Sequence, residues 1–120
     1  MKQITLATLP TATEQEVFDY VAHHLLTQNQ RSVDPKSKRC AYRGKDNLTC
    51  AAGCLMADDE YNPEFEGWPW SSLIGRDCVP RTHRDLIGYL QSVHDNNHPD
   101  NWAQCLKKVA KEFSLKFNQG

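Results

Sequence analysis

Two amphipathic stretches near the end of the chain constrain its fold more than any other feature. Leu86, Ile87, Leu90, Val93 and His94 share one helical face, and Trp102, Leu106, Val109, Ala110 and Phe113 recur at helical spacing along a second segment. Between them, Asp95-Asn96-Asn97-His98-Pro99 stops the first helix and turns the chain, because proline lacks an amide hydrogen and disfavours helix at the residue before it. A connection this short makes the two helices an antiparallel pair, each with an apolar face to cover. Thr82, with Asp85 following, is placed to cap the first helix and Asp100 to cap the second.

A further helix lies upstream. Thr13 and Glu16 form a capping box, since hydroxyl and carboxylate each accept from an otherwise unpaired backbone N–H. Val17, Phe18, Val21 and Leu25 then supply one buried face through about Gln28. The polar stretch Asn29 to Lys38, with Pro35, reads as a loop. Arg39–Arg43 and Leu48–Cys50 read as the arms of a short β-hairpin, joined by Gly44-Lys45-Asp46-Asn47, residues that tolerate positive φ. Ala51 to Met56 reads as a short helix with Thr49 as its cap, and Gly53 weakens it by about 1 kcal/mol relative to alanine. From Asp58 to Pro80, Pro63, Pro69, Pro80, Gly67 and Gly75 impose a long loop with one helical turn near Ser71–Ile74. Residues 1–10 alternate weakly, with Ile4 and Leu6 on one side, as an edge strand or tail that Pro10 ends. The expected architecture is a single α+β domain over residues 1–120. It is mainly helical, with three main helices packed around a small β-hairpin and a long Pro/Gly-rich loop outside.

Composition narrows the function classes. A chain of 120 residues, 39% hydrophobic, supports a core without staples. A net charge of −1 supplies no general attraction to nucleic acid or to an anionic membrane. The local basic run Arg31, Lys36, Lys38, Arg39, Arg43 and Lys45 reads as solvated surface. No apolar run reaches the roughly 18 residues of a membrane span, and residues 1–10 lack the apolar core of a secretory signal. A cytoplasmic protein is therefore expected, and its five cysteines are expected as free thiols, an odd number that argues against a complete disulfide framework.

Three chemistries compete for the segment from Arg39 to Gly67. Cys50 and Cys54 are four apart, as are His94 and His98, and two such pairs could hold zinc tetrahedrally. The favoured reading of the cysteines is different. Beside Ala51, Ala52 and Leu55 they look like buried core thiols, with no cofactor. Cys50 at a helix start, with His94 as base and Asp95 as orienting carboxylate, is the nucleophile alternative. The third chemistry is partner binding, and it is preferred. Asp58, Glu60, Tyr61, Glu64, Glu66, Trp68 and Trp70 place aromatics and carboxylates together in a loop; Trp and Tyr dominate interface hot spots, and the acid favours a basic target. Tyr42, Arg43 and Lys45 are kept as a nucleotide-signal alternative, through stacking and charge-assisted bonds. Self-association stays open.

The pattern Cys40-x-Tyr42-Arg43, Leu48-x-Cys50-x-x-Gly53-x-Leu55-Met56, Asp58-x-x-Tyr61 and Glu66-Gly67 resembles small accessory proteins encoded by tailed bacteriophages and prophages. Leu90-Gln91-x-x-His94-Asp95 and the Trp102–Phe113 segment extend the similarity, which covers most of the chain after Thr13. The resemblance brings no catalytic residues with it. It implies a protein that works in a bacterial cytoplasm by binding and blocking a host or defence protein.

Overall fold

The structure is a computed structural model and describes residues 3–117. Four α-helices form the frame: α1 (Glu14–Gln28), α2 (Trp70–Gly75), α3 (Arg84–Asn96) and α4 (Trp102–Glu112). The α1 capping box is present as the sequence predicts. Glu16 N–H donates to the Thr13 hydroxyl, and Thr13 N–H donates to the Glu16 carboxylate. Asn29, in the left-handed conformation at φ 52°, ends the helix. Its buried face is Val17, Phe18, Val21, Ala22 and Leu25. Helices α3 and α4 pack on each other, α1 lies against both, and α2 lies against α3. Leu86, Ile87, Leu90, Val93, Trp102 and Leu106 meet the α1 face in a single apolar cluster that Ile4, Leu6 and Leu9 close from one side.

Two helix starts differ from the sequence reading. His83, not Thr82, precedes α3; it sits at φ 61°, and its Nε2–H donates to the Ala12 carbonyl at 2.6 Å. Asp100 lies within a 3₁₀ turn, Pro99–Asn101, where its N–H donates to His98 Nδ1, and Asn101 precedes α4. The described part of residues 1–10 contains no strand. Residues 6–8 turn and Leu9–Thr11 form a 3₁₀ turn; Met1 and Lys2 lie outside the described residues.

The main correction concerns the hairpin. Among the described residues there is no sheet, only two isolated antiparallel bridges, Val33 with Cys40 and Arg43 with Thr49. The fold is mainly helical and not α+β. Side chains from other elements take the places of neighbouring strands. The Gln28 amide donates to the Thr49 carbonyl at 2.9 Å and accepts from Thr49 N–H at 3.1 Å. The Glu66 carboxylate accepts from Tyr42 N–H at 2.9 Å and from Arg43 N–H at 3.1 Å. Gln91 accepts from Ala52 N–H. Buried backbone groups must be paired, but nothing requires the partner to be backbone.

The segment after the arms is a turn ending in a 3₁₀ stretch, Gly53–Leu55, without a side-chain cap. Gly53 is required by proximity: a Cβ there would lie 2.0 Å from the Tyr42 carbonyl oxygen. The long loop is short of regular structure apart from a 3₁₀ turn, Pro63–Phe65, and it leads into α2, which contains the expected helical turn.

Candidate functional site

A half-open groove of about 1240 Å³ runs between the Arg39–Arg43 segment, residues 61–71 and the outer face of α3. The α3 wall follows from its periodicity. With Leu86, Leu90 and Val93 turned into the core, Arg84, Asp85, Gly88, Gln91, Ser92 and Asp95 line the opposite side. Gly88 opens the floor; a Cβ there would meet nothing within 4 Å. The facing wall is pinned in place. The Tyr42 hydroxyl donates to the Trp68 carbonyl, the Tyr61 hydroxyl donates to Glu66 at 2.6 Å, and the Arg43 guanidinium lies 4.7 Å above the Tyr61 ring.

The acidic loop residues divide sharply. Glu66 holds two backbone N–H groups and the Tyr61 hydroxyl. Glu60 accepts from Leu6, Ala7 and Ala57 N–H, tying the N-terminal segment to the loop. Asp58 is fully exposed and pairs with Arg43 at 2.9 Å. Glu64 is exposed in its 3₁₀ turn and does not line the groove. Trp70 is 4% exposed and belongs to the core, with its indole N–H buried and unpartnered. Trp68 is different: it is 41% exposed and lines the groove, and Arg76 stacks 4.0 Å from its ring centroid. The Tyr42–Arg43–Lys45 alternative is dispersed in the same way. Tyr42 is buried, Arg43 is tied to Asp58 and the Met56 carbonyl, and Lys45 does not line the groove.

Sequence reasoning missed a buried hub at Ser32, inside what it read as a featureless loop. Ser32 is fully buried. Its N–H donates to His94 Nε2 at 2.9 Å, its carbonyl accepts from Ala41 N–H, and its hydroxyl lies 2.8 Å from the Ala41 carbonyl and 3.0 Å from that of Leu48. His94, also fully buried, stacks on Trp102 with ring centroids 5.5 Å apart. Because a backbone N–H can only donate, His94 Nε2 is the unprotonated nitrogen and Nδ1–H donates to Asp95 at 2.7 Å.

That tautomer bears on both cysteine chemistries. Cys50, the sequence-derived nucleophile, is buried, and burial pushes its thiol up to about 12. A buried thiol in apolar surroundings is inert. The cysteine that does reach His94 and Asp95 is Cys40; the ligating atoms of all three lie within 4.8 Å of one another. Burial first, then the Asp95 charge, raises the Cys40 thiol to about 11. The order is wrong for activation. The carboxylate faces the thiol, and the imidazole lone pair is occupied by Ser32.

The four ligands considered for zinc are not gathered. His94 is buried, whereas His98 is exposed beside Asp100, and burial raises the Cys54 thiol well above its usual range. The Cys40–His94–Asp95 group fits a metal poorly as arranged. A cation on Nδ1 would leave the proton on Nε2, opposing the Ser32 N–H donor.

Two groove residues, Tyr89 and Arg84, went unnoticed in the sequence, and a third, Arg39, was read only as solvated surface. Tyr89 is 50% exposed, and its ring edge-packs on Phe113 with centroids 5.3 Å apart. Arg39 and Arg84 are exposed, and their guanidinium groups have no partner among the described residues. The available signal was Tyr89 itself, a large aromatic placed off the apolar stripe of its helix. No helix of the described residues is long and apolar enough to cross a membrane. No family model matches the chain, and no curated protein or solved structure matches it.

Proposed function

We propose that this chain acts by binding: a phage-type accessory protein that occupies and blocks a protein of the bacterial host or of its defence systems, inside the bacterial cell, with the groove as its recognition surface. One observation carries the reading. Trp68 and Tyr89 are the two large hydrophobic side chains left exposed among the described residues, and both line this groove. Exposed aromatics that converge on one concavity are a feature of binding sites, whereas singly scattered ones are ordinary surface. The pinned wall supports it further, since a preformed surface avoids ordering costs on association. The nucleotide-signal reading has less support, because Tyr42 and Arg43 are engaged within the fold.

The test is affinity capture from bacterial lysate with four forms of the protein: wild type, Trp68→Ala, Gly88→Leu and a Lys107→Ala/Lys108→Ala control on exposed α4 positions. A specific partner should be retained by wild type and control. The two groove variants should lose it, by about 2 kcal/mol or more if Trp68 is an anchor. Equal retention by all four forms would place recognition elsewhere.

A further inference from the structure

We infer that the groove takes an extended polypeptide segment bearing a carboxylate beside an aromatic or aliphatic side chain, so that the target is acidic where the loop sequence suggests a basic one. This rests on the binding function proposed above and specifies the chemistry of its partner.

Some charged groups of the groove have no hydrogen-bond or ion-pair partner among the described residues. Four carboxylates line the groove, and three keep their charge but have acceptor positions taken up within the fold. Glu66 accepts from two backbone N–H groups and a hydroxyl, Asp34 accepts from Lys36 and Ser37 N–H, and Asp95 accepts from His94 and the Gln91 amide. The Arg43 terminal nitrogens are held by Asp58 and the Met56 carbonyl, and its unpartnered Nε is buried out of reach of a ligand. What remains is Arg39 on one wall, and Arg84 with its neighbour Asp85 at the start of α3. Asp85 sits in the first helical turn, where the helix dipole favours a negative charge. Two guanidinium groups are thus the unsatisfied donors that a ligand would meet, and each offers a planar fork that matches a carboxylate.

Size and shape select a polypeptide. Small-molecule sites are enclosed and usually about 300–1,000 Å³; this groove is larger and half-open. Trp68 and Tyr89 offer ring surface to an apolar side chain, and the bare Gly88 floor lets a main chain approach α3 closely. Ser92 and Asn96, exposed and bonded to each other, keep spare hydrogen-bonding capacity along that floor for main-chain amides, whereas Gln91 is taken up by Ala52 N–H and Asp95.

The experiment selects a random heptapeptide display library on the immobilised full chain. Wild type should enrich sequences with aspartate or glutamate next to an aromatic or aliphatic residue. Arg39→Glu with Arg84→Glu should lose that acidic preference by roughly tenfold or more, turning toward lysine and arginine. Gly88→Leu should enrich nothing. Both sets of positions are exposed, and thermal melts should show the variants folded. Enrichment that Gly88→Leu abolishes but that carries no acidic preference, or a basic one, would overturn this inference and leave the binding function standing. No enrichment by wild type would remove the groove as a site for an extended polypeptide and overturn this inference, while the lysate capture decides the binding function separately. Saturable micromolar binding of ATP, followed by tryptophan fluorescence and lost in Gly88→Leu, would reassign the groove to small anions and also overturn the inference.

Discussion

Glycines show how differently one residue type can act at two positions. Read along the chain, Gly53 is a helix-weakening residue, and replacing it should help. In the structure its missing Cβ makes room for the Tyr42 carbonyl, 2.0 Å from where that atom would stand, and a backbone oxygen cannot move aside cheaply. Gly53→Ala is therefore expected to destabilise by about 1–3 kcal/mol, as overpacking does. Gly88 lies inside α3 with open space beyond it. Gly88→Ala is expected to stabilise by about 0.5–1 kcal/mol, the difference in helix preference. Urea denaturation of the two variants decides the matter. Shifts of the same sign would mean that close approach is not what Gly53 provides. A gain in stability at Gly88 together with weaker partner binding would mark it as a functional opening.

Elements in the middle of this chain are joined by side chains rather than by ladders. The Arg39–Arg43 arm keeps its shape because Glu66 holds two of its N–H groups from 23 and 24 residues away. Removing that carboxylate leaves those donors and the Tyr61 hydroxyl without an acceptor, and each unanswered buried group costs about 1–3 kcal/mol. Glu66→Ala is expected to lose at least about 2 kcal/mol of stability and to loosen the groove wall, whereas Glu64→Ala, at an exposed position, should change little. Thermal melts of the pair provide the measurement. Equal melting temperatures would show that the arm stands without its clamp. Glu60 and Glu66 thus serve the fold before they serve any partner, which leaves the guanidinium groups of Arg39 and Arg84 as the charged donors of the groove that are unpaired among the described residues.

At the scale of the whole molecule, stability should depend on pH through the α1 edge. His24 packs over Thr49, with Nε2 3.2 Å from its carbonyl oxygen. Burial lowers its affinity for a proton, and His94 and His23 add to this, while the Thr49 hydrogen bond opposes it. An unfolded chain holds that proton at about pH 6.5. Below that value the unfolded state binds more protons than the folded one, so stability is full above it and falls as the solution is acidified toward the lowered folded value. His24→Gln should flatten this fall. Denaturation midpoints at pH 7.5 and 5.5 check it, and an unchanged slope would assign the acid sensitivity to other groups. The same α1 edge supplies Gln28, which holds the Thr49 backbone from the other side of the junction.

Helices were legible in the residues because their hydrogen bonds close within a few positions. The Thr13–Glu16 box, the α1 stripe ending at Gln28 and the buried faces of α3 and α4 all follow from local capping and a period of 3.6. Residues 39–56 were not legible: the turn residues 44–47 pointed to a hairpin over 39–50, and 51–56 read as a short helix. Their backbone partners are side chains of Gln28, Glu66 and Gln91, contributed by distant segments. The site divides along the same line. Sequence composition marked the aromatic loop and Trp68 as surface chemistry, but it could not separate Trp68 from the buried Trp70 two residues on. Nor could it find that Ser32 reaches His94 across 62 residues and occupies the imidazole lone pair that Cys40 would need, or that burial leaves Cys50 unactivated. Periodicity carries information only over the few residues of a helical turn. Which buried polar group answers which, and hence which charges stay free in the groove, is decided when the chain closes on itself.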